Sequence, residues 1–441
     1  MSKVRLTNKE EKKDVKMIID LLSDYDHSRN TEVVKVKDSL IDSDFATDYG
    51  KRYLERIEQI CSGNEQSRSC IICQKKYAKN RVVCNGCMDD FKGMTLNPVE
   101  NFADAVDDMV GGDGFIGSGW KDIFTDLFKP HSGKDAEKIF IYGTEFTTPK
   151  EEKILSDWPK PWLYGRVFLT LLAAFVISYL IFLTGVALLA PTVLLLGSML
   201  VPVPLLIMFY EINAPRNISI FDVTKIFILG GLLAIYITII LAIIGPEGNE
   251  MTYPVAFAVG IREELAKLIV VVYLLRKRKK NKKNYLLNGL LIGAAVGAGF
   301  AVFESAGYAQ DAMLVFVEND QEVYIEMSGL NALFSIIVRG ILSPGAHIAW
   351  AAISGFAAVL VGEKSAYRFK SFLNKRFIAI FLFPVLFHAI WDMPFDLIIG
   401  GLKQLFLLVL IWIMLIVFID NGLDEINIIN REKLLGETNQ A

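Results

Sequence analysis

Apolar and polar positions divide the 441 residues into two regimes. Up to about residue 160 charged side chains interrupt every hydrophobic stretch, and 11–27 and 49–60 read as short surface helices. From Trp162 onward, long apolar runs alternate with short polar clusters. Eight runs, at 164–189, 191–210, 222–244, 253–275, 285–309, 331–360, 376–395 and 401–419, are each long enough to cross about 30 Å of hydrocarbon as a helix. Pro191, Pro202 and Pro204 predict a kinked or partly re-entrant second span. The pattern predicts an all-α polytopic membrane protein of about eight transmembrane helices, with a polar region at 1–160, a membrane domain at 161–420 and a tail at 421–441.

Composition enters as a constraint on class. A 53% hydrophobic and 22% charged chain whose charges are so unevenly placed is not one water-soluble globule. A net charge of −3 supplies no broad basic field, so no nucleic-acid partner is expected. The charged first thirty residues do not resemble a signal peptide. Within the polar region, CIIC at Cys70 and Cys73 and CNGC at Cys84 and Cys87 form two knuckles, and Gly86 suits the tight turn of the second. Four thiolates close a tetrahedral shell, so these cysteines predict a structural Zn²⁺ in a small cytoplasmic zinc-ribbon-like domain that could receive a cytoplasmic protein partner. Cys61 is left over. The acidic stretch from Asn97 to Trp120 lacks calcium-loop spacing and reads as a solvated surface.

Charge also sets the predicted orientation. The loop RKRKKNKK from Arg276 to Lys283 belongs on the cytoplasmic side, and counting spans outward from it puts both termini there too. The acidic loops Glu247–Glu250 and Asp311–Glu326 then lie outside. The expected location is the cell membrane, with multiple passes through the lipid bilayer.

The candidate chemistry lies in residues that lipid should exclude. GIREELAKL places Arg262, Glu263, Glu264 and Lys267 near the middle of the fourth span, where each exposed ionised group would cost about 3 kcal/mol or more. Glu263 and Lys267 are one helical turn apart, and Glu264 is three residues from Lys267, so the lysine reaches either carboxylate. In the fifth span Gly289, Gly293 and Gly297 make a small-residue stripe leading to Glu304. His347 follows Pro344 in the sixth span, and His388 precedes Asp392 by one turn in the seventh. Carboxylates and imidazoles together can activate water, directly or through a divalent metal for which His347, His388 and Glu304 are candidate ligands. The membrane part contains no cysteine, GxSxG or HExxH, so water is the expected nucleophile.

These motifs, EELAK at 263–267, FAVFE with Phe300 and Glu304, SPGAH ending in His347, and HAIWD with His388 and Asp392, resemble those of the PrsW-type intramembrane proteases over roughly residues 160–420. That family is distantly similar to the CAAX-prenyl endoprotease and bacteriocin-processing superfamily. The resemblance implies an intramembrane endopeptidase acting on membrane protein substrates such as anti-sigma-factor-like regulators. Glu263 or Glu264 would be the base that activates water, with Lys267 keeping the pair ionised. His347 would orient the water or stabilise the oxyanion, while Glu304, His388 and Asp392 complete the site. The alternatives are an ion- or metal-coupled transporter or sensor, and a CAAX-type prenyl-protein peptidase. A transporter would favour inverted halves with matching broken helices, and the polar residues here gather in spans four to seven alone.

Overall fold

The computed structural model describes residues 48–61, 98–112, 121–246, 250–280, 282–319, 322–327, 329–342, 346–395 and 401–438, with isolated positions 14–15, 18, 70–72, 74, 83 and 87. Two compact units divide at Ser118. In the first, α1 (Asp48–Cys61) and α2 (Pro98–Val110) are the described helices of any length. Cys70 and Cys87 are buried. Cys73 and Cys84, and with them the four-thiolate arrangement, lie outside the described residues.

The second unit begins at Gly119, some forty residues before the end of the polar region marked out by composition. The segment from 121 to 160 is polar yet packs on the membrane helices. Tyr164 donates to the Ile123 carbonyl at 3.2 Å, Tyr210 donates to that of Tyr142 at 3.1 Å, and Arg216 lies 4.3 Å over the Tyr142 ring. Helix α3 (Gly133–Phe140) starts with a capping box between Ser132 and Asp135.

Helix α4 (Leu163–Leu183) has no side-chain cap of its own. Glu211, buried at the end of α6, caps it: Oε1 accepts from the Trp162 and Leu163 amides at 2.9 and 3.0 Å and Oε2 from Tyr164 at 3.1 Å. A carboxylate there satisfies amides that have no intrahelical partner and sits at the positive end of the helix dipole. The next span breaks into α5 (Ala190–Met199) and α6 (Pro202–Ile212), each with proline in its first turn. Helix α7 (Ile220–Ala242) contains a π-helical turn at Ile226–Gly230.

Helices α8 (Tyr253–Lys279) and α9 (Leu286–Met313) carry the first two site motifs. At Gly289, Gly293 and Gly297 a methyl group would collide with the carbonyl oxygens of Gly355, Ala351 and His347. The stripe lets α11 (His347–Gly362) lie directly on α9, antiparallel to it, at a separation only glycine allows.

The sequence pattern at 331–360 predicts one span, and the structure instead has two helices, α10 (Gly329–Leu342) and α11. Between them stand Ser343, Pro344 and Gly345, which lie outside the described residues. Proline removes a backbone donor and clashes with the preceding turn, which a helix interior does not tolerate. The acidic outer loop also differs from expectation. It includes an antiparallel hairpin, β1 (Leu314–Asn319) with β2 (Glu322–Met327), in a register running from Leu314↔Met327 to Asn319↔Glu322. Val315, Phe316, Val317, Val323, Tyr324 and Ile325 give these strands their β-branched and aromatic character.

Helix α12 (Lys375–Asp392) contains Pro384, and α13 (Leu402–Thr438) runs well past residue 420. Leu423 and Ile426 are buried and Asn430 donates to the Ile154 carbonyl at 3.0 Å, so what reads as a tail continues the last helix. Among the described residues six helices are long and apolar enough to cross a membrane: Leu163–Leu183, Ala187–Ile212, Ile220–Ala242, Leu286–Met313, His347–Ser365 and Leu402–Asn430. The protein is an all-α multi-pass membrane protein with one small hairpin. Helices α8 and α12 are of comparable length but carry the ionisable residues of the site.

Candidate active site

Four helices converge on one polar cluster, and each contributes through a local reason. On α8 the i, i+3 and i+4 spacing puts Glu263, Glu264 and Lys267 on one face. Lys267 Nζ lies 2.6 Å from Glu264 Oε1 and 3.8 Å from Glu263 Oε2. Arg262 points elsewhere: its guanidinium donates to the carbonyls of Ala258 in its own helix, Ala242 at the end of α7 and Pro246 just beyond it. From α11 comes His347, at the first turn after the helix break. From α12 come His388 and Asp392, and from α9 Glu304.

The two imidazoles are held alike. His388 Nδ1 is 2.9 Å from Glu264 Oε1, and His347 Nε2 is 2.7 Å from Glu304 Oε2. A carboxylate accepts, so these contacts fix Nδ1–H on His388 and Nε2–H on His347. The opposite ring atoms, His388 Nε2 and His347 Nδ1, stand 3.6 and 3.8 Å from Glu263 Oε2. That oxygen is buried and has no hydrogen-bond partner. Asp392 Oδ2 is 3.4 Å from His388 Nε2 and is partly exposed, as is Glu304. Aromatic walls brace the rings: Trp350 stacks on His388 at 4.5 Å, and Phe300 packs on His347 at 5.0 Å while lying 4.6 Å from the Lys267 ammonium.

All seven residues singled out in the sequence therefore meet in one place, but in a different grouping. The three whose ligand atoms lie within 4.8 Å of one another are Glu263, His347 and His388. Glu304, a candidate metal ligand on its sequence position, accepts from His347 Nε2 and from Arg339 Nη2, each at 2.7 Å. Arg339, on α10, also donates to Ser305 at 3.0 Å and lies over Tyr308 at 4.3 Å. The sequence reading left Arg339 out of the site. An arginine in an otherwise apolar helix needs a carboxylate close by, which was the available signal.

The donor set suits a divalent cation on two counts. Glu263, Glu264, Glu304 and Asp392 face Lys267 and Arg339, so with neutral imidazoles the cluster is two positive charges short. In addition, the lone pair of His388 Nε2 faces two carboxylates, an arrangement that calls for a cation between them. Each histidine already donates its other N–H to a carboxylate, the pattern that orients metal-bound imidazoles. Lys267 Nζ lies 2.8 Å from His347 Nδ1 and is thus a competitor for that atom, with Glu264 as its remaining partner.

Among the described residues, ionisable groups aimed at one another inside a helical membrane domain, with no thiol beside them, make a cluster able to bind a cation or handle a proton. Residues 222–419 match the model of the PrsW family of intramembrane metalloproteases. This part of the chain is accordingly similar to the PrsW-type intramembrane proteases, which are peptide hydrolases. The match runs from within α7 to within α13 and so includes every residue of the cluster. Comparison with curated proteins and with solved structures gives no match.

Proposed function

We propose that the protein is a metal-dependent endopeptidase that cuts membrane-embedded or membrane-proximal segments of other membrane proteins, anti-sigma-factor-like regulators among them. The observation that carries this reading is the convergence of Glu263 Oε2, His347 Nδ1 and His388 Nε2 while carboxylates hold the other nitrogen of each ring. Glu263, His347 and His388 would hold the ion, and an imidazole and carboxylate donor set favours Zn²⁺. Bound there, the ion would polarise the scissile carbonyl and make water acidic enough to be deprotonated near neutral pH.

The chain's own groups divide the remaining work. Glu264, whose Oε1 is tied to Lys267 and His388, positions His388. Glu304, anchored by Arg339, positions His347. Asp392 stands at the partly exposed side of the cluster, 3.4 Å from His388 Nε2, and is the carboxylate suited to accept the proton of water and return it to the leaving amine. Both termini lie in the cytoplasm of a cell-membrane protein in this reading, in keeping with the basic loop after α8. The four cysteines at 70, 73, 84 and 87 would hold a structural zinc in this reading, on their sequence spacing alone, and the region around them would receive a cytoplasmic partner.

The test compares membrane-protein N-termini in cells expressing wild type or Glu263→Gln at matched levels, together with the metal content of the purified proteins. Wild type should generate new termini in or beside a partner's transmembrane segment and retain about one ion per chain beyond any held by the cysteine knuckles. Glu263→Gln should lose both, and full activity in that variant would overturn the assignment.

A further inference from the structure

A cavity of about 500 Å³ opens where α7 and α8 diverge, away from the catalytic cluster. Its mouth is basic. Lys225, Lys277, Arg278 and Lys282 surround it, with Asp222 as the opposing acid. Asp222 is already engaged, because its carboxylate accepts from Ser219 Oγ at 3.0 Å. Arg278 is braced in place: Nη1 donates to the Lys283 carbonyl and to Asn284 Oδ1, and Nη2 to the Asn217 carbonyl at 3.0 Å. A guanidinium fixed in this way loses little side-chain freedom when an anion arrives.

Below the mouth the walls are apolar, formed by Ile226, Leu229, Leu233, Val270 and Leu274, with Ile292 of α9 as floor. The space has a backbone cause. The π-helical turn at Ile226–Gly230 adds a residue to one turn of α7, and Gly230 leaves its wall without a side chain. Leu229, Leu233 and Tyr273 are 57, 42 and 57% exposed on the isolated chain, so in a bilayer this wall faces acyl tails. The cavity therefore opens sideways into lipid under a basic rim at headgroup level.

We infer that this cavity is a binding site for an anionic phospholipid, its phosphate at the basic mouth and an acyl chain along the α7–α8 wall. The chemistry separates lipid from a free anion, which would use the rim and leave the apolar wall unoccupied. A zwitterionic lipid fits the wall equally well but gains less from four cationic side chains. The site is built on the helices that carry the catalytic residues: Val270 and Leu274 lie one and two turns beyond Lys267 on α8, and Gly231 of α7 packs against the Gly299 backbone, next to Phe300.

The full chain, purified in detergent, would be offered phosphatidylglycerol, phosphatidylcholine or soluble glycerol phosphate, and retained molecules counted by native mass spectrometry. Wild type should hold one phosphatidylglycerol, with at least tenfold lower occupancy by phosphatidylcholine and none by glycerol phosphate. The double charge reversal Lys225→Glu with Lys277→Glu should lower phosphatidylglycerol occupancy about tenfold. Leu229→Trp, which fills the apolar wall and leaves every charge in place, should do the same. These three positions are exposed, so the variants should fold, and an unchanged thermal midpoint verifies it. Retention equal to wild type in both variants, or displacement of the lipid by glycerol phosphate, would overturn the site. Glu263→Gln should keep its lipid, so this result stands apart from the protease assignment.

Discussion

Two buried polar regions sit at different depths along α9, and they are satisfied to different degrees. Near its start, Asn288 donates to Asn213 and Asn217, each at 2.8 Å, and accepts from Asn217 at 3.2 Å and from the Tyr285 amide at 3.0 Å. Beside it Asn284 donates to the Leu275 carbonyl and to Tyr367, whose hydroxyl in turn donates to Glu363. Burial and the neighbouring Glu363 push the Tyr367 hydroxyl above its ordinary pKa, so it remains a donor. Toward the other end of α9, Glu263 Oε2 and Glu264 Oε2 are buried without a partner, and carboxylates outnumber fixed cations. The first network holds helices together with its hydrogen-bonding capacity used. The second keeps acceptors unspent and aimed at one point, which is what binding a cation and handling a proton require. Burial of polar groups alone would not have told the two apart.

The sharpest way to break this contrast is Glu263→Gln, which keeps shape and removes charge. Turnover in a reconstituted cleavage assay should fall at least about a thousandfold with little change in thermal midpoint. A smaller loss, on the order of 10–100-fold, is expected for Glu264→Gln, because it loosens the orientation of His388 without removing one of the three converging groups. Metal affinity measured by competition with a chelator should fall with it, and unaltered affinity would contradict the positioning role. At the satisfied end, Asn288→Ala should reverse the balance of effects. It orphans buried partners and should destabilise by about 1–3 kcal/mol in denaturant titrations while kcat stays near wild type. The smallest effect belongs to Lys279→Ala, which removes the partly exposed partner of Glu363. That change should cost below about 1 kcal/mol and shrink in high salt.

Membrane insertion was legible because hydrophobic length is a local property. So was the charged face of α8, since three- and four-residue spacings determine which side chains share a helix surface. The broken span between α10 and α11 was only half legible. Pro344 signalled a disturbance, but a continuous apolar run over 331–360 looks the same whether the helix bends or stops. The hairpin at 314–327 was hidden by its acidic flanks, and the role of 121–160 was hidden because polar chain can still pack through backbone carbonyls, as Tyr164 and Tyr210 show.

By itself, the sequence determined that these residues would span a membrane, that two histidines and several carboxylates would be trapped there, and that they would have to find one another. Hydrophobicity and helical periodicity act over a few residues and are written in the chain. Which carboxylate faces which nitrogen was decided by the tertiary structure alone. Glu263 and Glu264 are neighbours of identical chemistry, and only the packing of α11 and α12 on α8, with α11 brought close by the glycine stripe of α9, gives one to His388 Nδ1 and aims Oε2 of the other at both imidazoles.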